Sequence, residues 1–227
     1  MLIVGLTGGV ASGKTTVSRV LKEEGAYIID ADQMARELVR PHTPAWRKLV
    51  GAFGKDILRE DGSIHRKKLA AKVFTNLGRR KLLNQILHPR IRKEMERRAK
   101  EIGQKDPEAV VVIDAPLLVE LGDHRKMDKL IVVTSTQTQQ IERLKERDGI
   151  SSEEALRIFS SQMPVEDKVK LADFVIRNEG SFQETKKKTR EVYKELKKVV
   201  VQTKKDTKGL APDCSNRAVA KSAWARR

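Results

Sequence analysis

Apolar residues gather along the chain into five short runs, Leu2–Leu6, Tyr27–Ile29, Val110–Ile113, Leu130–Val133 and Phe174–Ile176. Most are continuous rather than alternating and rich in Val and Ile, the pattern of strands buried on both faces of a parallel sheet. The stretches between them carry apolar residues at helical spacing, so strand and helix alternate. The pattern predicts an α/β fold with a five-stranded parallel sheet flanked by helices. The interval from Gln33 to Glu108 is too long for a simple crossover, and its helical pattern predicts a substructure over the C-terminal edge of the sheet.

Local signals punctuate the second half of the chain. A helix over Gln137–Arg147 is expected to stop at Asp148-Gly149, because glycine tolerates the left-handed conformation that ends helices. Ser151-Ser152-Glu153-Glu154 reads as a capping box that opens the next helix, which runs to about Gln162 before Pro164. A long charged helix is expected over Phe182–Val201. Residues 203–227 lack periodicity and mix Gly, Pro, Ser, Ala and basic residues, which predicts a disordered or loosely attached tail. There are no internal repeats.

Composition narrows the possible partners. The chain has 227 residues, 39% hydrophobic and 34% charged, enough for one packed core over residues 1–202. A formal net charge of +16 calls for an anionic partner: polyphosphate, nucleic acid or an acidic membrane surface. Aromatic residues are only 4%, which argues against base stacking. The charge is uneven: residues 33–109 carry +11 and residues 203–227 carry +5, whereas residues 1–32 carry −1. The lone cysteine, Cys214, forms no internal disulfide, and no apolar run approaches the roughly 20 residues of a membrane span. A soluble cytoplasmic protein is expected.

Candidate chemistry begins at Gly8-Gly9-Val10-Ala11-Ser12-Gly13-Lys14-Thr15, which fits the phosphate-loop pattern G-x-x-x-x-G-K-[ST] between a predicted strand and helix. Glycines let the backbone curl so that successive amides, from Gly9 to Gly13, point at phosphate oxygens, and the following helix adds its positive end. Lys14 is expected to reach the β- and γ-phosphates, Thr15 to ligate Mg²⁺, and Thr16 to touch the α-phosphate. The second strand ends in Asp30-Ala31-Asp32, two carboxylates suited to accepting a proton from an attacking hydroxyl or orienting basic neighbours. Either could instead be an ordinary helix cap.

From here the chain resembles the dephospho-CoA kinase family. Leu6-Thr7-Gly8-Gly9-Val10 through Lys14-Thr15 and Asp30-Ala31-Asp32 carry the resemblance. So do Asp61-Gly62-Ser63-Ile64-His65-Arg66 with Leu69 and Val73-Phe74, then His88-Pro89-Arg90-Ile91, and Asp114-Ala115-Pro116-Leu117-Leu118-Val119-Glu120. Gln140, Arg143, Arg147, Gln162 and Lys168 fall at the family's lid spacing, and Ala172-Asp173, Asn178 and Gly180 match its last strand and loop. The match runs in order over about residues 1–200.

The resemblance implies a P-loop kinase fold with a helical substrate-binding segment at 33–109 and a lid at 134–168. It further implies ATP-dependent, Mg²⁺-assisted phosphorylation of the ribose 3′-hydroxyl of dephospho-CoA, the last step of coenzyme A synthesis. Asp32 would be the general base, with Lys14 and Arg143 neutralising the transferring phosphoryl group. Arg147 and Asn178 would join the phosphate loop in holding ATP, while Asp30, Arg66, His88 and Pro89 would bind dephospho-CoA. Asp114 divides evenly between a role behind Mg²⁺ and a structural one, and Glu120 carries no assignment.

Rival readings are a different small-molecule or nucleotide kinase on the same fold, and a nucleic-acid-associated P-loop protein using the basic segment and tail. Thr203-Lys204-Lys205-Asp206 fits the guanine-reading [NT]-K-x-D pattern, but it overlaps a D-x-x-G that ought to precede it. No nucleic acid is expected, and the oligomeric state stays open.

Overall fold

Each of the five apolar runs forms a strand, and each strand continues at least one residue further at its carboxyl end. Ladder hydrogen bonds need only backbone, so pairing persists through Gly8, Asp114, Thr134 and Arg177 after the apolar residues stop. The computed structural model describes residues 1–74 and 76–209. It runs β1 (Leu2–Gly8), α1 (Lys14–Glu23), β2 (Tyr27–Asp30), α2 (Ala31–Leu38), α3 (Pro44–Phe53), α4 (Arg66–Phe74) and α5 (Leu77–Lys105). There follow β3 (Val110–Asp114), β4 (Lys129–Thr134), α6 (Gln137–Asp148), α7 (Ser152–Ser160), α8 (Val165–Val169), β5 (Phe174–Arg177) and α9 (Phe182–Gly209).

The strands form one parallel sheet of order β2-β3-β1-β4-β5. Leu6 lies opposite Asp114 on one side of β1, and Gly8 lies opposite Val133 on the other. The chain thus leaves β1 toward β2 on one side and later sets β4 on the other, so the phosphate loop begins at a topological switch point, where crevices form in open α/β sheets.

The chain divides into two compact units, Met1–Ile28 with the residues from Ile102 onward, and Ile29–Glu101. In the first, Leu2, Val4 and Leu6 of β1 share a core with Val110, Val112, Ile131, Val133 and Ile176, covered by Val17 and Leu21 of α1 and Leu196 and Val200 of α9. On the opposite face Gly5 admits Leu118: a Cβ there would lie 2.4 Å from Leu118 Cδ2. The helix stops follow the sequence signals. Gly149 ends α6 at φ 65°, and capping boxes at Thr136 and Ser151 open α6 and α7.

The second unit is helical around Leu49, Phe53, Ile57, Ile64, Leu69, Val73 and Ile86. Thr43 caps α3 by accepting from the Trp46 amide, with Pro44 at the first helical position, where its missing N–H costs no bond. Within this unit Arg98 donates to both Glu94 and Glu37. Hydrogen bonds from Arg97 and Arg98 hold the Glu94 carboxyl down at about 2, against an ordinary 4.5.

One boundary differs from expectation. The last helix reaches Gly209 rather than ending near Val201, because Gln202–Lys208 contains no glycine or proline to break it. The rest of the expected tail, with Cys214, lies outside the described residues. Among the described residues no helix is long and apolar enough to cross a membrane.

Candidate active site

The phosphate loop takes its shape from two residues with positive φ, Ala11 at 53° and Gly13 at 90°. At Gly13 glycine is obligatory twice over, since an L side chain strains there and a Cβ would lie 2.0 Å from Asn178 Nδ2. The Ser12 amide closes back on Gly9 O at 3.2 Å, and Gly13 O starts α1 by accepting from Thr16 and Val17. The amides of Ala11, Gly13 and Lys14 donate to no group among the described residues. They are the N–H donors that a phosphate would take.

Lys14 Nζ pairs with Asp114 Oδ1 at the carboxyl end of β3, and both side chains are largely buried. Asp114 therefore acts on Lys14 directly, as its counter-ion. Thr15 is exposed in the first turn of α1, where its hydroxyl can take a cation; among the described residues no cluster of His, Cys, Asp and Glu offers another metal site.

Four side chains from the expected lid lie against this loop. Arg143 on α6 donates to Ala11 O at 3.5 Å and Asn178 O at 3.3 Å. Gln162, between α7 and α8, accepts the Val10 N–H at 2.9 Å. Lys168 on α8 is fully buried, pairing with Glu120 at 2.6 Å and donating to Pro116 O at 3.3 Å and Gly8 O at 3.5 Å. Gln140, 1% exposed, donates to Ser135 O and leaves Oε1 unpartnered where a Cβ on Gly9 would sit 2.8 Å away.

Two expected nucleotide contacts look different in place. Arg147 forks onto its neighbour Asp148 with two bonds of 2.8 Å, is 61% exposed, and has no bond to the loop. The Asn178 amide is committed internally: Nδ2 donates to Ser12 O at 2.9 Å and Oδ1 accepts from Thr185 Oγ1 at 2.8 Å. It braces the loop rather than presenting a free amide to an adenine.

In the helical unit, Asp30 caps α2 by accepting from Gln33 N at 2.9 Å, the ordinary role for an aspartate there. Asp32, in the first turn of α2, lines a pocket of about 260 Å³ with Arg36 and Arg66. Val39, Leu49, Ile64, Leu69 and Leu87 supply an apolar floor. The guanidinium groups of Arg36 and Arg66 have no ion-pair partner among the described residues. His88 and Pro89 lie in the same helix as Leu87 but do not line this pocket. Pro89 is exposed inside α5, and the neighbouring Arg90 Nη1 donates to Ile86 O.

Sequence reading missed Arg36, although its place four residues after Asp32 on a helix face was a usable signal. It left Glu120 unassigned, and no local pattern ties Glu120 to a lysine 48 residues away.

A phosphate loop with a buried counter-ion for its lysine occurs in many kinases, so comparison with known proteins decides among them. Residues 2–184 match the family model described as Dephospho-CoA kinase. A dephospho-CoA kinase from Carboxydothermus hydrogenoformans is 47% identical over 184 residues, 81% of this chain and 89% of that protein. One from Corynebacterium glutamicum is 45% identical over 196 residues, 86% of this chain and 100% of that protein. A crystal structure of a Thermus thermophilus protein matches with a TM-score of 0.75 at 29% identity, covering 86% of this chain and 97% of that one. The dephospho-CoA kinase of Campylobacter jejuni matches with a TM-score of 0.58 at 26% identity, over 86% and 96%. With motifs, fold and relatives in agreement over more than four-fifths of its length, the chain belongs to the dephospho-CoA kinase family.

Proposed function

We propose that the protein transfers the γ-phosphoryl group of ATP to the ribose 3′-hydroxyl of dephospho-CoA, yielding coenzyme A and ADP, the last step of coenzyme A synthesis. The observation that carries the acceptor side is the pocket of the helical unit. There the Asp32 carboxylate lies with the guanidinium groups of Arg36 and Arg66, neither ion-paired among the described residues, over an apolar floor. An acceptor with a nucleoside, a pyrophosphate and an apolar arm needs those three features together.

In this reading the 3′-hydroxyl gives its proton to the Asp32 carboxylate as its oxygen bonds to the γ-phosphorus. The bond from that phosphorus to the bridging oxygen of ADP breaks, and the electron pair leaves with ADP. Lys14, exchanging Asp114 for phosphate oxygens, and Arg143 offset the charge on the transferring group. Thr15 would ligate Mg²⁺ and Asp114 would stand behind it; when bound, the ion neutralises charge on the β- and γ-phosphates. Arg36 and Arg66 hold the acceptor's pyrophosphate, and Asp30 and Asn178 act through the helix and loop they brace. For His88 and Pro89 the support is the family motif alone. For Arg147, whose exposed guanidinium bonds Asp148 and no part of the loop, the support is likewise the family's lid spacing alone.

An acceptor panel with ATP and Mg²⁺ tests the reading. Dephospho-CoA is turned over, while nucleosides, nucleoside monophosphates and small sugar-like acids are not. Asp32→Asn lowers kcat by at least about 100-fold while ATP still binds. Equal turnover of a nucleoside monophosphate would move the protein to a different kinase activity on the same fold. Salt-sensitive nucleic-acid binding without turnover would favour the basic-surface reading.

A further inference from the structure

Within the phosphate loop one amide is already occupied. The Val10 N–H donates to Gln162 Oε1 at 2.9 Å. A backbone N–H can only donate, so the Gln162 amide has a single orientation: its oxygen faces Val10, and its Nε2 is the other end. That Nε2 donates to no group among the described residues. Oxygen and nitrogen of one amide are only about 2.2 Å apart from standard bond lengths, so two free N–H bonds sit beside the row of loop amides.

The turn that carries Gln162 is also fixed in place. Six residues on, Lys168 reaches Gly8 O and Pro116 O from a fully buried position, so the lid is fastened to the loop at Gly8 as well as at Val10. A donor held at two points loses little entropy when it meets a ligand.

The direction it serves follows from the order of the loop. Amides at the amino end of α1, from Gly13 onward, take the α- and β-phosphates. The end of the loop nearer the strand, where Val10 lies, is then left for the terminal phosphate. We propose that Gln162 is a phosphate-contacting residue that braces Val10 through Oε1 and donates from Nε2 to the γ-phosphoryl oxygens of ATP. It reads the third phosphate, which ADP lacks, and its ligand departs with the transferred group. The inference rests on the reading of the loop as the ATP site.

Calorimetric titration with ADP and with a non-hydrolysable ATP analogue, both with Mg²⁺, tests it on the full chain. In Gln162→Met the analogue weakens about ten-fold or more, the value of a hydrogen bond to a charged group, while ADP weakens no more than about three-fold. Gln162→Glu keeps an acceptor for Val10 but replaces the donor with an oxygen. There the added negative charge weakens ADP as well, but the analogue, with one more phosphate on that side of the loop, loses at least as much as in Gln162→Met and more than ADP does. Equal weakening of both nucleotides in Gln162→Met would show a brace and nothing more, and overturns the proposal, as does unchanged binding of both. A wild-type protein that binds neither nucleotide overturns the ATP-site reading itself, which separates that failure from this one.

Discussion

Replacing Lys168 by methionine removes an ammonium and leaves a side chain of nearly the same length in its place. The ammonium is buried to 0% exposure and serves three acceptors, the Glu120 carboxylate and the carbonyls of Pro116 and Gly8. Breaking a buried pair by removing one partner costs about 3–5 kcal/mol, because the other charge stays behind uncompensated. The Glu120 side chain is 20% exposed as a whole, but both of its carboxylate oxygens are shielded from solvent, so the stranded charge costs at least the lower end of that range, about 3 kcal/mol. Pro116 O keeps the hydroxyl of Thr7, a bond of 2.9 Å, which limits the loss. For a chain of this size about 3 kcal/mol lowers Tm by roughly 6–12 °C. Urea denaturation followed by circular dichroism measures the cost directly. The double variant Lys168→Met/Glu120→Gln has no stranded charge and recovers about 2 kcal/mol of it. A single variant within about 1 kcal/mol of wild type, or a double variant as unstable as the two single losses added together, would refute the reasoning.

Other outcomes follow from geometry already described. Gly13→Ala combines left-handed strain of about 1–2 kcal/mol with loss of the Asn178–Ser12 bond, about 1 kcal/mol. It abolishes measurable ATP binding by calorimetry and destabilises the fold. Arg143→Gln lowers kcat by about 10- to 100-fold, the scale of one charge-stabilising contact, whereas Arg147→Gln changes it less than about three-fold; steady-state kinetics on the pair decides. Glu94 has a depressed pKa, about 2 folded against 4.5 ordinarily, so its contribution is complete above about pH 4.5 and fades as pH falls toward 2. Its partial exposure limits that contribution to about 1 kcal/mol. The stability gap between wild type and Glu94→Gln therefore narrows as pH falls below about 4.5 and closes only near pH 2 in urea titrations; a constant gap would contradict the assignment.

Much of this protein is written in short-range pattern. The five strands, the caps at Gly149 and Ser151, and the loop from Gly8 to Thr15 depend on residues within a few positions of one another. Backbone propensity and burial therefore expose them in a linear reading. Family motifs extended that reach to Asp32, Arg66 and the lid residues. Without a structure they could not say what each side chain touches.

What pairs with what depended on tertiary folding, because side-chain partners are set by distance in space. Lys14 meets Asp114 only because β1 and β3 are neighbours in register, Leu6 opposite Asp114. Asn178 and Arg147 are both polar and well placed in the sequence, yet one is consumed by Ser12 and Thr185 and the other by Asp148. Glu120 and Lys168, unremarkable as single letters, become a buried pair under the phosphate loop. The chain alone specified a parallel sheet carrying a phosphate loop, since both arise from local backbone chemistry. Which side chains clasp that loop emerged only once residues more than 40 positions apart were brought within hydrogen-bond distance.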